Sequence, residues 1–167
     1  MKPIITSIAL AVSLAFAAAA QAQQVNERKV KNAEEDRIEA QAKADKAKCD
    51  TLKANAKDIC MAEAKGKEKV AKAELDAKHE KDQIKAQKKV SEAKAEAAYD
   101  VAAQKCDDQK GEAKDACIKQ AKVERDRAKG TAEKRAEAKE EKRDNQRAAT
   151  GGTAPERKPA DQPKHKP

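Results

Sequence analysis

The sequence predicts an all-α protein of extended helices that disulfides fold into hairpins. Three observations predict this class: residues 24–147 contain no proline, their commonest side chains belong to the strong helix formers Ala, Lys and Glu, and one pair of cysteines occurs twice. Charged residues make up 41% of the chain and aromatic residues 1%, so the large apolar side chains are too few for a globular core with a shaped pocket. An enzyme is therefore not expected.

The N-terminus has the parts of a secretory signal peptide. A positively charged start is followed by an uncharged, mostly apolar run over residues 4–20 and by a small-residue cleavage signal. We expect cleavage between Ala22 and Gln23, which removes residues 1–22 and leaves no transmembrane span. An uncleaved anchor is the alternative, but the run is at the short limit for a span. The mature protein is expected in the periplasm or outside the cell.

Residues 23–147 are expected to form charged helices. Opposite charges recur one helical turn apart, and each such pair stabilises a helix by roughly 0.2–0.5 kcal/mol. The pairs are Glu63/Lys67, Glu68/Lys72, Glu74/Lys78, Asp115/Lys119, Glu124/Arg127 and Glu140/Arg143. Without a strict heptad repeat, a coiled-coil dimer is allowed but not implied. Residues 148–167 carry four of the five prolines, and we expect a disordered tail there.

The clearest internal signal is a repeated C-x10-C motif. Residues 48–65 and residues 105–122 match at both cysteines and at several lysine, alanine and aspartate positions, with an offset of 57 residues. The four cysteines of the chain are Cys49, Cys60, Cys106 and Cys117. In an exported chain, four cysteines indicate disulfides.

The spacing restricts how these cysteines can pair. Eleven residues of straight helix span about 16 Å, so Cys49 and Cys60 can bond only if the chain turns back between them. A turn is favoured, because Gly111 in the second motif suits a left-handed backbone and Asn55 in the first suits an N-cap. Each motif then closes its own helical hairpin, with the pairs Cys49–Cys60 and Cys106–Cys117. The alternatives are intermolecular disulfides and a single long hairpin with the pairs Cys49–Cys117 and Cys60–Cys106.

The favoured pairing predicts three helices separated by two turns, at about 24–53, 56–110 and 112–147. The central helix is expected to be unbroken, because residues 81–84 are interpreted as having no turn residue. At 1.5 Å per residue it would be about 80 Å long. At 100° per residue, Val70 falls near one face of this helix and Val101 near the opposite face. An elongated helical rod is the expected shape.

The motif resembles one found in a group of exported proteins. Both copies begin with Cys-Asp and end, after five intervening residues, with Ala-Lys-Asp-x-Cys. This motif resembles that of uncharacterised Ala/Lys-rich proteobacterial envelope proteins, which are described as similar to the helical middle region of TolA. The resemblance covers roughly residues 42–129. The likeness to TolA itself lies in composition, and a cleaved signal differs from TolA's retained membrane anchor. The resemblance implies a helical envelope protein and does not imply energy transduction.

Several classes of site are disfavoured by the residues present. His79 and His165 lie far from the cysteines, so no metal site is expected. We find no glycine-rich phosphate loop and no cofactor motif. The net charge of +8 is spread over a surface of both signs, with one tyrosine and no tryptophan to stack on bases, so nucleic acid is not an expected partner.

Three non-enzymatic functions remain as hypotheses. The first is a periplasmic structural or scaffold protein that contacts envelope proteins along its length. The second is an electrostatic binder of anionic envelope polymers or lipid headgroups, acting through residues 111–167, which carry 16 basic and 11 acidic side chains. The third is a small exported chaperone-like stress protein, against which the scarcity of apolar side chains argues.

Overall fold

The described part of the chain consists of four helices. The computed structural model describes the backbone of residues 11–150 and the side chains of residues 26–150. The helices are α1 (Ala11–Cys49), α2 (Ala54–His79), α3 (Gln83–Cys106) and α4 (Glu112–Ala149). Within these residues each helix contacts only its neighbours in sequence, so the helices lie side by side in an open layer that is one helix thick. The predicted all-α class, with helical hairpins, is confirmed.

Parts of both predicted terminal segments lie outside the described residues. These parts are residues 1–10 of the signal peptide and residues 151–167 of the tail. Helix α1 runs through the predicted cleavage site between Ala22 and Gln23. Among the described residues, no helix is both long and apolar enough to cross a membrane.

The predicted single helix over residues 56–110 is wrong, because the chain turns back at residues 80–82. Asp82 caps α3: its Oδ1 accepts hydrogen bonds from the backbone N–H of Ile84 at 3.1 Å and of Lys85 at 3.3 Å. The bond from Lys85 and the nearby Arg143 guanidinium lower the pKa of Asp82. The predicted 80 Å rod is thus replaced by two antiparallel helices, α2 and α3, of about 39 and 36 Å.

Most buried positions in this layer are occupied by small side chains. The buried apolar residues are Ala42, Cys49, Ala64, Leu75, Ala86, Ala95, Cys106, Ala121 and Ala132. Small side chains let the helices approach closely, but each buries little apolar area. Disulfides and contacts between charged side chains therefore carry more of the stability than they do in a typical globular domain.

Charged side chains pair mainly between helices. Of the pairs predicted along single helices, the described residues keep Glu68–Lys72, at 3.3 Å. Lys72 also reaches Glu39 of α1 at 2.9 Å, and Lys46 of α1 reaches Glu68 at 2.6 Å. Lys46 and then Lys72 lower the pKa of Glu68 by hydrogen bonding. The remaining pairs between helices are Lys31–Asp76, Lys78–Glu34, Lys94–Glu74, Lys88–Glu133 and Lys129–Glu96.

Positions 57 residues apart make the same contacts in the two hairpins. Three ion pairs occur twice at this offset: Asp50–Lys57 and Asp107–Lys114, Glu39–Lys72 and Glu96–Lys129, and Lys31–Asp76 and Lys88–Glu133. Buried residues correspond too: Cys49 and Cys106, Ala64 and Ala121, Leu75 and Ala132. The correspondence therefore spans residues 31–133. The seam between α2 and α3 is where the two hairpins meet.

The two hairpin turns have a positive φ at equivalent positions, with a different residue at each. Gly111 has the positive φ that the sequence predicts, +57°, and Ala54 at the equivalent position has φ +49°. A left-handed backbone costs an L-residue roughly 1–2 kcal/mol and costs glycine almost nothing. We expect Ala54→Gly to raise the free energy of unfolding by about 1 kcal/mol and Gly111→Ala to lower it by at least about 1 kcal/mol. Urea unfolding measures both, and changes of the same sign would contradict the assignment.

Candidate functional site

Both disulfides lie at the same end of the layer. Cys49 is joined to Cys60 with Cα atoms 5.5 Å apart, and Cys106 is joined to Cys117 with Cα atoms 5.7 Å apart. These are the pairs that the spacing favours, and no cysteine is free. Cys49 and Cys106, which end α1 and α3, are almost completely buried. The cysteines hold the two hairpins closed and leave no thiol available as a nucleophile.

Asn55 joins the two hairpins at the disulfide end. The predicted N-cap role of this residue is wrong, because α2 begins one residue earlier, at Ala54, after an N-cap at Lys53 that makes no side-chain hydrogen bond. The Asn55 Nδ2 instead donates to the backbone carbonyl oxygen of Gln104, in the last turn of α3, at 2.9 Å. This bond fixes the start of α2 against the end of α3.

On one side of the layer, the seam between α2 and α3 is open and forms a groove. This α2–α3 groove has a volume of about 630 Å³. It is lined by small and medium apolar residues: Gly66, Val70 and Ala71 of α2, and Ala97, Ala98, Val101 and Ala102 of α3. Its charged lining residues are Glu63, Lys67, Glu74 and Lys105. The groove is thus an apolar strip with charges of both signs beside it.

Close approach of the two helices at Gly66 shapes the groove. A Cβ at Gly66 would lie 3.0 Å from the Cβ of Ala97, so even alanine would be crowded there. Val70 and Val101 are the largest apolar side chains in the lining. Their predicted placement on opposite faces of one helix is wrong. The turn at residues 80–82 folds α3 back against α2, and both valines then face the same groove.

The opposite side of the seam is more polar. It holds a furrow of about 350 Å³, lined by Asp58, Met61, Ala62, Lys65, Asp100, Ala103 and Gln104. A second furrow, of about 290 Å³, lies between α1 and α2 and shares Lys67 and Ala71 with the α2–α3 groove. Because they share residues, this furrow and the groove lie on the same side of the layer. That side is more open and more apolar than the opposite side.

The groove can make apolar contacts with a partner and can select that partner by its charge. Lys94 Nζ lies 2.7 Å from Glu74 Oε1 across the seam, whereas Glu63, Lys67 and Lys105 make no ion pair within residues 26–150. In the same residues no group of three or more His, Cys, Asp or Glu side chains is arranged to hold a metal ion. His79 lies at the other end of the layer, beside Glu27. The groove therefore suits binding, and the free charges can select a partner of opposite charge.

The groove was not predictable from motifs. Sequence reasoning singled out the cysteines, whereas the groove depends on the turn at residues 80–82, for which Asp82 was the available signal. Gly66, the only glycine in α2, was the second signal. Comparisons of the chain with models of protein families, with curated proteins and with solved structures find no match.

Proposed function

We propose that this protein is an exported, non-enzymatic interaction protein that receives one helix of a partner protein in the α2–α3 groove. The observation that carries the proposal is the groove, an apolar strip with free charges beside it. A helix that presents small apolar side chains at a spacing of three and four residues fits such a strip. The scaffold role expected from the sequence then belongs to a helical layer rather than to a rod.

The dimensions of the groove suit about three turns of helix. From Glu63 to Glu74 it follows eleven residues of α2, which is about 17 Å. The alanines of the lining allow the backbone of a docked helix to come close, and Val70 and Val101 offer larger contacts. Glu63 and Lys67 would favour a partner with the opposite charges in one register, because like charges brought together oppose binding.

The disulfides support a location outside the cytoplasm. Such bonds persist in oxidising compartments and are rare where thiols are kept reduced. All four cysteines are paired, and the sequence begins with a predicted signal peptide, for which we expect cleavage after Ala22. We therefore propose the periplasm as the place where the partner helix is met. There Cys49–Cys60 ties one wall of the groove, α2, to α1, and Cys106–Cys117 ties the other wall, α3, to α4.

Site-specific photo-crosslinking in living cells tests the groove. A photoreactive amino acid is placed at Val101, in the groove, or at Ala103, in the furrow on the opposite side of the same helix. Both side chains are half-buried, so the two probes are matched in exposure. We expect a protein adduct of defined mass from position 101 and none from position 103.

A second substitution separates specific docking from chance contact. Val70→Glu places a charge in the wall opposite Val101 and should abolish the adduct while leaving the helical circular dichroism unchanged. An adduct that forms equally at both probe positions, or one that survives Val70→Glu, would show that the groove is not the contact surface.

A further inference from the structure

We propose that the outer edge of α4 binds an anionic membrane surface. The outer edge is the side of α4 turned away from α3, and it carries Lys119, Val123, Arg127 and Lys134. All four residues are exposed, and within the described residues α4 contacts no helix other than α3. This edge is separate from the α2–α3 groove, so the two proposals can fail independently.

Comparison with α2 shows what is unusual about this edge. At the equivalent positions, 57 residues earlier, α2 has Ala62, Gly66, Val70 and Ala77 in place of Lys119, Val123, Arg127 and Lys134. The residues of α2 line the seam with α3: Gly66 lies against Ala97, and Val70 lines the groove. The second hairpin therefore has two lysines, an arginine and a valine where the first hairpin has small residues for packing against a helix.

The cations of the outer edge have no partners, unlike those of the inner side of α4. Lys119, Arg127 and Lys134 make no ion pair within residues 26–150. The inner charges of α4 do pair with α3: Lys129 with Glu96, and Glu133 with Lys88. The outer cations are therefore available to external anions.

The charge balance differs between the equivalent stretches of α2 and α4. Residues 116–135 contain seven basic and three acidic side chains, whereas residues 59–78 contain five basic and four acidic ones. Of these two stretches, the one in α4 therefore has the larger excess of cations. The cations extend from Lys119 to Lys134, which is about 22 Å of straight helix.

Val123 favours a membrane over a soluble polyanion as the ligand. Its side chain is 57% exposed and stands between Lys119 and Arg127, one helical turn away on either side. An apolar group between cations suits the boundary between headgroups and acyl chains, where the cations meet lipid phosphates. A soluble polyanion would gain little from the valine. We therefore assign the edge to a bilayer that carries anionic phospholipid.

Vesicle co-sedimentation with the purified, oxidised mature chain, residues 23–167, tests this assignment. The vesicles contain about one-third phosphatidylglycerol in phosphatidylethanolamine, and vesicles of phosphatidylcholine serve as the neutral reference. Each basic side chain near an anionic surface tightens binding by roughly fivefold, so we expect the triple variant Lys119→Gln, Arg127→Gln and Lys134→Gln to bind about a hundredfold more weakly. Binding should also disappear at high salt, because salt screens these contacts.

A control in α1, the helix at the other side of the layer, removes the same charge. Lys29→Gln, Arg37→Gln and Lys43→Gln change exposed residues of α1 that likewise make no ion pair in the described residues, and this variant should bind as the wild type does. Equal losses for the two variants would mean that net charge, and not the α4 edge, drives binding. No binding to anionic vesicles, or binding to soluble polyphosphate but not to vesicles, would overturn the proposal.

Discussion

Replacement of both cysteines of the second hairpin by alanine, Cys106→Ala with Cys117→Ala, is expected to release α4 from the layer. The disulfide closes a loop of eleven residues, and its loss should lower the free energy of opening this hairpin by about 3 kcal/mol. Nothing else covers α4, since within the described residues it contacts α3 alone. Hydrogen exchange should show α4 amides losing protection while α1 amides keep theirs.

The first hairpin supplies the matched control. Cys49→Ala with Cys60→Ala removes a loop of the same length and should release α1, leaving the exchange of α4 unchanged. An open layer behaves like a short array in which each unit is stabilised mainly by its neighbours. If both variants lose protection evenly over all four helices, the layer unfolds as one unit and the hairpins are not separate.

The hairpins were largely predictable from residues close together in sequence. Two cysteines eleven residues apart, with Gly111 between one pair, predict a turn with a positive φ, and that backbone conformation is observed. Such features depend on a few neighbouring residues. Ala54, which also has a positive φ in the other hairpin, has no such signal, because alanine seldom adopts a positive φ.

The missed features are one local cap and several contacts between residues distant in sequence. Residues 81–84 were interpreted as having no turn residue, because they contain neither glycine nor proline, although the aspartate at position 82 is a favoured N-cap residue. Lys78 was expected to pair with Glu74 along α2, but it pairs with Glu34 of α1 at 3.0 Å. Such pairs require the register between helices, which local spacing does not encode. The α2–α3 groove was missed for the same reason.

Gly66→Val is expected to lower the free energy of unfolding by about 2 kcal/mol, because the larger side chain overpacks the seam between α2 and α3. The position has no room, since even a Cβ would lie 3.0 Å from the Cβ of Ala97. Helix propensity alone predicts the opposite sign, because valine is better than glycine in a helix by about 0.4 kcal/mol. Urea unfolding of the oxidised protein measures the change, and its sign reports whether the two helices pack at this point.

Val123→Gly exchanges the same two residues at the equivalent position of α4. Val123 is 57% exposed and packs against no neighbouring helix, so the substitution should cost only about 0.4 kcal/mol of helix propensity. Gly66→Ala should leave the free energy of unfolding nearly unchanged, because the gain in helix propensity offsets the crowding against Ala97. If Gly66→Val instead stabilises the protein by a few tenths of a kcal/mol, α2 and α3 are not packed together. That result would contradict both the groove between the two helices and the docking proposed there.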